Sequence, residues 1–501
     1  MAANSEEIVQ QIRADFESLL QWVMGTTPNT PTNAHDMECA VLRRVLEMGR
    51  RLLLLFFVAQ AQRQRPASVV DARGETLPYH SQASRAYVSV FGSIAFARRY
   101  YYRSGAGVCP VDAMLNLPPH RESDLLREWR ERLGTDQTYE QADALLGELL
   151  GVPFPRSTRA LADAIAEDSA LVDAYYEQTP APKPVGEASL LVAQADGKGI
   201  PLRKPTEAAL KVRLGKGEKR SCKKEAIVTA VYTLAPAVRT PESVLASLFG
   251  PSEPVGTPKT ARGGPCNKRM EATLGGKESA CVSLAEGVRR QEGEHIRERV
   301  ALTDGAEALQ SQVCVALPSF TLVLDVIHAI EYLWKAANAL LGETHPKREV
   351  WVKRCAQLML TGELPRLMGV LRVLAEEAHR SESVREVLLK VAAYYERNQE
   401  YMHYDRYLEA GWPIATGVIE GACRHLVKDR FELSGMRWSQ PGAEALLQLR
   451  CVEENGDWEA FHAYRRAYRA RTLYAQQPSE DEGVTLEMVA GEFQAIECLA
   501  A

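Results

Sequence analysis

The chain has 501 residues, 46% hydrophobic and 25% charged, with 60 basic against 65 acidic side chains for a formal net charge of −5. At roughly 150 residues per domain this is about three domains of ordinary globular composition, and no global positive field marks a nucleic-acid partner, although a local basic stripe can serve one. The longest apolar run, Leu52 to Ala59, is far short of the ~20 residues a membrane span needs. The start Met-Ala-Ala-Asn-Ser-Glu-Glu has no basic and apolar signal regions, so neither a membrane protein nor a secreted one is expected.

Residues 1–84 read as a helical N-terminal region: Met37 to Gln62 carries apolar residues at helical spacing, interrupted by the pairs Arg43–Arg44 and Arg50–Arg51. Residues 85–122 read as a β-hairpin module, with Ala86–Phe91 and Ile94–Arg103 joined at Gly92–Ser93. Residues 123–180 return to helix. Within them Tyr139–Leu150, the turn Gly151-Val152-Pro153-Phe154-Pro155 and Ser157–Ala166 form a helix-turn-helix pattern, which an ordinary helical hairpin would also leave. Pro180 to Pro184 is a semi-rigid linker. From residue 186 to 328 short apolar runs alternate with helix: Ala188–Ala195, Ala226–Ala235, Val300–Thr303 and Phe320–Leu324, with Ala306–Val315 helical between the last two. That alternation implies an α/β sheet. Residues 240–280, rich in Gly, Pro and Lys, read as a long excursion from it. Residues 329–410 are helical throughout, 411–475 carry a final helical region, and 476–501 form an acidic tail.

The ten cysteines, at positions 39, 109, 222, 266, 281, 314, 355, 423, 451 and 498, include no C-x-x-C pair. Scattered thiols suit a reduced, cytoplasmic protein without cysteine-held zinc.

Acids recur where apolar runs stop. Asp196 follows Leu190–Ala195 and precedes Gly197-Lys198-Gly199; Asp304 follows Val300–Thr303 and precedes Gly305. Parallel sheets present ligands at the carboxyl ends of strands, and two such acids on neighbouring strands could share divalent cations, for which carboxylates suit Mg²⁺. Asp-Gly after a strand is equally a turn signal. The third acid, Glu420, lies in Thr416-Gly417-Val418-Ile419-Glu420-Gly421-Ala422-Cys423-Arg424. An i,i+4 pair with Arg424 is the plain reading, but Val418, Ile419 and Ala422 make this more than a solvated face.

Four blocks in order, Gln194-Ala195-Asp196-Gly197-Lys198-Gly199, Leu302-Thr303-Asp304-Gly305-Ala306, Asp325-Val326-Ile327-His328, and Gly417-Val418-Ile419-Glu420 with Gly435-Met436-Arg437-Trp438, resemble a bacterial insertion-sequence transposase of the DDE class, of the Kra type, with Mutator-like transposases as broader relatives. The resemblance covers roughly 186–450 well and the N-terminal third loosely. It implies an α/β RNase H-like catalytic core (186–328 and 411–475) with an all-α insertion (329–410), preceded by a mostly helical N-terminal region with a β-hairpin and a helix-turn-helix. It implies Asp196, Asp304 and Glu420 as catalytic metal ligands for two Mg²⁺ ions, with Mn²⁺ able to substitute. Asp325 and His328 become accessory groups. Asp325 competes for the second ligand position, and Asp304 is preferred because a helix and a strand still separate it from the insertion. The hairpin keeps Cys109 alone where relatives often pair cysteines, so a degenerate zinc-ribbon-like module without bound zinc is expected.

Such an enzyme cleaves transposon ends and joins the freed 3′-hydroxyl to target DNA, in DNA recombination by two-metal phosphoryl transfer. Its partners would be double-stranded DNA (terminal inverted repeats and target) and further copies of itself, as a homodimer or higher oligomer, in the nucleoid-associated cytoplasm of a bacterium. Between Lys198 and Lys224 there are ten basic and two acidic residues, a local grip for phosphates. Lys198, Arg203, Lys204, Lys223 and Lys224 would bind DNA there; Arg424, Lys428, Arg430 and Arg437 would do so around Glu420, while Trp438 either stacks on a base or packs, with packing preferred. An RNase H-like nuclease without strand transfer, and a domesticated DNA-binding regulator with a defunct site, are the alternatives.

Overall fold

The computed structural model describes residues 5–25, 33–63, 65–71, 73–151, 158–203, 221–250, 263–377, 379–433 and 435–474. The fold is mixed α/β with a helical majority, and it divides into two units: Met1–Ala164 with Glu459–Ala501, and Ile165–Trp458. Among the described residues no helix is long and apolar enough to cross a membrane.

In the first unit, helices Ser5–Val23 and Ala34–Arg63 precede an antiparallel sheet of β1 (Ser68–Val70), β2 (Thr76–Ser89), β3 (Gly92–Arg103) and β4 (Ala106–Val108), in that order. The last β2–β3 pair is Ser89↔Gly92, so Val90 and Phe91 make the turn, not Gly92–Ser93, and β2 begins well before Ala86. Its first half, Thr76 to Arg85, is polar because one face is solvated, which hid it from an apolar pattern. Phe57 on the long helix stacks on Phe96 of β3 at 4.6 Å and closes a small core with Ile94 and Leu117. Helix Asp124–Asp136 is capped by the Ser123 side chain, and Arg130 on it pairs with Asp143 at 2.8 Å. The C-terminal helix Trp458–Leu473 brings Arg465 to within 3.0 Å of Asp124 and Arg469 to within 2.7 Å of it, which ties this helix to the first unit. Of the expected helix-turn-helix, Tyr139–Leu150 opens with a Thr138–Gln141 capping box and Thr158–Ser169 follows; the turn residues 152–157 lie outside the described residues, as do the tail residues 476–501.

The second unit is built on β5 (Leu190–Arg203), β6 (Ser221–Leu234), β7 (Cys266–Thr273), β8 (Glu298–Thr303) and β9 (Thr321–Leu324), ordered β7-β6-β5-β8-β9. β6 runs antiparallel to both β5 and β7, while β5, β8 and β9 are parallel. Side chains alternate across a strand, so β5 feeds two cores. Leu190 and Val192 join Tyr232, Val300 and Leu302 on one face; Leu191, Ala193 and Ala195 join Ile227 and Val231 on the other. The first face is covered by helices Val326–Leu341, Arg348–Leu360, Leu364–Glu376 and Glu382–Asn398, the second by Lys277–Gln291 and Glu307–Ala316. Val326–Leu341 packs through Val326, Ala329, Ile330, Leu333, Ala336 and Ala337, spaced three and four apart as one helical face requires. The stretch 240–280 is not wholly an excursion: it holds helix Pro241–Phe249, strand β7 and the start of helix Lys277–Gln291. β7 sits at the sheet edge, where polar residues are tolerated.

Candidate active site

The strand register brings the aspartates together. The last β5–β8 pair is Gln194↔Leu302 and the last β8–β9 pair is Thr303↔Leu324. One step past the latter stand Asp304 and Asp325, at one level on neighbouring strands. Continuing the β5–β8 register puts Asp196 level with Asp304. Adjacent strands lie ~4.8 Å apart, so the acids occupy adjoining positions. Asp196 does not end its strand, however: β5 continues to Arg203, paired with β6 all the way. It stands where β5 loses its parallel neighbour, and that loss opens the crevice.

Asp196 is half-buried, accepts the Gly197 N–H at 2.6 Å and the Cys423 thiol. Burial pushes its carboxyl above the ordinary range, and the nearby Asp304 adds to the effect. The Cys423 thiol is itself raised, by burial first and then by Asp196, and so remains a donor. Asp304 is half-buried, and its Oδ1 accepts the Ala306 N–H at 2.9 Å. Behind it Gly305 has φ +89° and would place a Cβ 2.5 Å from the Tyr394 hydroxyl, so only glycine fits this turn.

Asp325 differs in kind. It is fully buried and caps helix Val326–Leu341 through the Ile327 N–H at 2.7 Å. Its Oδ2 accepts the Thr416 N–H at 3.2 Å and the Thr416 hydroxyl, and lies 3.2 Å from His328 Nδ1. That hydrogen bond, against the cost of burial, raises the His328 ring to about 9, so the ring is a cation at neutral pH. Glu420 rides on the short helix Gly417–Ala422 with its outer edge exposed. Partial burial, then the charge of Asp325, raises its carboxyl. Asp325, His328 and Glu420 each offer a ligand atom within 4.8 Å of the others. Asp325 already accepts the Ile327 and Thr416 N–H groups. Each of Asp196, Asp304 and Glu420 carries the hard carboxylate oxygens that Mg²⁺ or Mn²⁺ takes, but among the described residues these three do not form a group whose ligand atoms all lie within 4.8 Å of one another.

The chain turns from the Glu420 helix into a wide π-helical turn, Cys423–Lys428, a feature frequent at functional sites. Arg424 does not pair with Glu420; its Nε lies 3.9 Å from Asp429. Arg424, Lys428, Arg203 and Arg437 are exposed, while Lys198 and Lys224 are half-buried. Lys223 reaches Glu432 at 2.8 Å, and Lys204 lies outside the described residues. Arg430 corrects the sequence reading. It is 1% exposed, its guanidinium lies 4.8 Å from the Trp438 ring, and it meets Met436 sulfur at 3.1 Å, so it faces the interior and not DNA. Trp438 packs on Phe431 at 4.9 Å, and its backbone is bonded to β5 through Arg203 N–H at 2.8 Å and Pro201 O at 3.1 Å.

Three participants escaped the sequence reading: Gln194, Thr416 and Cys423. Gln194 carried a signal, being a polar residue inside an apolar run two positions before Asp196 and therefore on the same strand face. Thr416 and Cys423 carried none.

No family model and no curated protein matches the chain. Among solved structures it is similar to the Drosophila P element transposase strand transfer complex, at 9% identity over 71% of this chain and 82% of that chain, with a TM-score of 0.23. What the site can do follows from its own residues.

Proposed function

We propose that the chain is a DDE-class DNA transposase with an RNase H-like catalytic core, acting on double-stranded DNA as a homo-oligomer. The observation that carries this reading is the level placement of Asp196, inside β5 where its parallel pairing with β8 stops, and Asp304, just past the end of β8, with the Glu420 helix fastened to Gln194 on β5 and to Asp325 after β9. The β7-β6-β5-β8-β9 order with β6 reversed supports it. It matches what the resemblance implies: the first acid on the first strand of the sheet, the second after the fourth, and the glutamate on a helix after the all-α block.

Asp196, Asp304 and Glu420 would hold the Mg²⁺ pair; bound, such a pair activates the attacking oxygen and stabilises the leaving one. The chain's other groups serve the substrate. His328, held as a cation by Asp325, offers a proton and a positive charge beside the reacting phosphate. Lys198, Arg203, Arg424, Lys428 and Arg437 neutralise phosphates along the β5–β6 hairpin and around Glu420. In the first step water oxygen bonds to phosphorus and a 3′-oxygen leaves, taking a proton. In the second, that 3′-hydroxyl loses its proton, attacks a target phosphodiester and releases a target 3′-hydroxyl. Water and the 3′-hydroxyl take the same attacking role, so one site serves both.

DNA carrying the element's ends, incubated with Mg²⁺, should be cut by wild type and not by Asp196→Ala, and joined products should form. Cutting without joining assigns a nuclease; binding without cutting assigns a regulator. Either result rejects the transposase reading.

A further inference from the structure

Glu420 sits in the first turns, Gly417–Ala422, of a helical run that continues through the π-helical Cys423–Lys428 to Phe431, so the anchoring of this helix start sets where its carboxylate lies. A helix start leaves N–H groups without partners inside the helix, usually met by the side chain of the capping residue. Here the capping residue, Thr416, makes no such bond. Its N–H donates to Asp325, just past the end of β9, and its hydroxyl lies between Asp325 and Glu420, whose Oε1 is 3.3 Å away. The N–H of Ile419, next to Glu420, is met instead from another element: it donates to Gln194 Oε1 on β5 at 3.0 Å. Gln194 is 0% exposed, and its Nε2 donates to the Tyr232 hydroxyl on β6 at 3.0 Å. A backbone N–H can only donate, so the amide orientation is fixed by chemistry. Gln194 also shares its strand face with Asp196, two residues on.

We infer that Gln194 and Thr416 are positioning residues that set the distance of Glu420 from Asp196 and Asp304 by pinning one helix start to two strands. This inference rests on the reading of Asp196, Asp304 and Glu420 as the metal-holding set. Glutamine suits the post because it accepts from one group and donates to another at once. Leucine of similar size would do neither, and a carboxylate would add a charge beside four acids. Thr416 must supply a hydroxyl between Asp325 and Glu420, which serine can do and valine cannot.

Groups that orient metal ligands typically change affinity by ~10–100-fold when removed. Binding of Mn²⁺ to the DNA-free protein, followed by the loss of its free-ion electron paramagnetic resonance signal, tests this without any turnover. Wild type should bind, and Asp196→Asn should lose binding. Gln194→Leu and Thr416→Val should bind ~10-fold or more weakly, and Thr416→Ser should keep near wild-type affinity. Melting temperatures are measured in parallel on metal-free protein. If Gln194→Leu does not fold, the Thr416→Val and Thr416→Ser pair decides. Folded Gln194→Leu or Thr416→Val with wild-type affinity overturns the inference and leaves the metal site standing. Wild-type binding that ignores Asp196→Asn, or no binding at all, overturns the metal site and the inference with it.

Discussion

Asp325→Ala and Asp304→Ala should separate the two competing aspartates by stability, before any DNA or metal is added. Asp325 caps helix Val326–Leu341, and losing such a cap costs about 1 kcal/mol. Its removal strips the buried Thr416 N–H of its acceptor, worth about 1–3 kcal/mol. It also releases His328. Raising that ring from 6.5 to about 9 corresponds to ~3 kcal/mol, discounted to ~2 kcal/mol for a side chain 29% exposed. These effects overlap, and the whole is roughly 4 kcal/mol. Asp304 makes one bond to the Ala306 N–H at 2.9 Å from a half-buried position, worth about 1 kcal/mol, and its removal relieves repulsion on Asp196. At about 2–4 °C per kcal/mol for a unit of this size, Asp325→Ala should melt roughly 6–12 °C below Asp304→Ala in EDTA at pH 6. The pH dependence supplies a second signature. A histidine whose folded pKa is raised contributes its full stability below the unfolded value of 6.5 and loses it as pH rises through about 9. The gap between the variants should therefore narrow at alkaline pH. Equal melting temperatures, or a gap constant across that range, would refute the assignment of Asp325 as an anchor.

Three further outcomes are expected. His462, buried in the first unit, is pushed down to about 2 by burial and then by Arg465, Arg466 and Arg127. The unfolded chain binds that proton near 6.5 and the folded chain does not, so stability is full above 6.5 and falls by ~1.4 kcal/mol per pH unit below it. Urea titrations of wild type and His462→Leu should diverge by ~2 kcal/mol between pH 7 and pH 5, and parallel curves would contradict the shift. Arg424→Ala and Lys428→Ala should each lower the salt slope of DNA binding by ~1 at unchanged melting temperature, whereas Arg430→Ala should lower the melting temperature; a salt-slope effect confined to Arg430→Ala would reverse that assignment. Leu333→Ala, emptying a fully buried site in the core beneath helix Val326–Leu341, should cost about 2–5 kcal/mol by denaturant unfolding.

The parallel strands β8 and β9 were legible because burial on both faces makes them short unbroken apolar runs, and the acids that follow them could be located to the residue. The distal half of β5 was not. Gly197-Lys198-Gly199 reads as a turn, but in the fold both glycines lie inside β5, paired with Ile227 and Glu225 of β6. Glycine inside a strand and glycine at a turn leave the same letter, and sequence alone does not separate them. β7 was lost for the opposite reason: Cys-Asn-Lys-Arg-Met-Glu-Ala-Thr is mostly polar because an edge strand can be. Arg430 looked like its exposed neighbours Arg424 and Lys428, since the π-helical turn shifts the face it occupies away from a 3.6-residue count. That Gln194 and Thr416 bond to the Glu420 helix is a tertiary matter, invisible in any local window.

The arginines of the C-terminal helix, Arg465 and Arg469, meet Asp124 across as many as 345 positions of chain. During synthesis at ~5–20 residues per second, Asp124 leaves the ribosome roughly 17–70 s before Arg469 does, and the unit containing it stays unfinished for all that time. The continuous stretch from Ile165 to Trp458 emerges whole within the interval. Order of completion is thus written into the chain: the part bearing the acids is finished first, and a fragment ending before residue 459 would strand Asp124 and Glu128 without their cations.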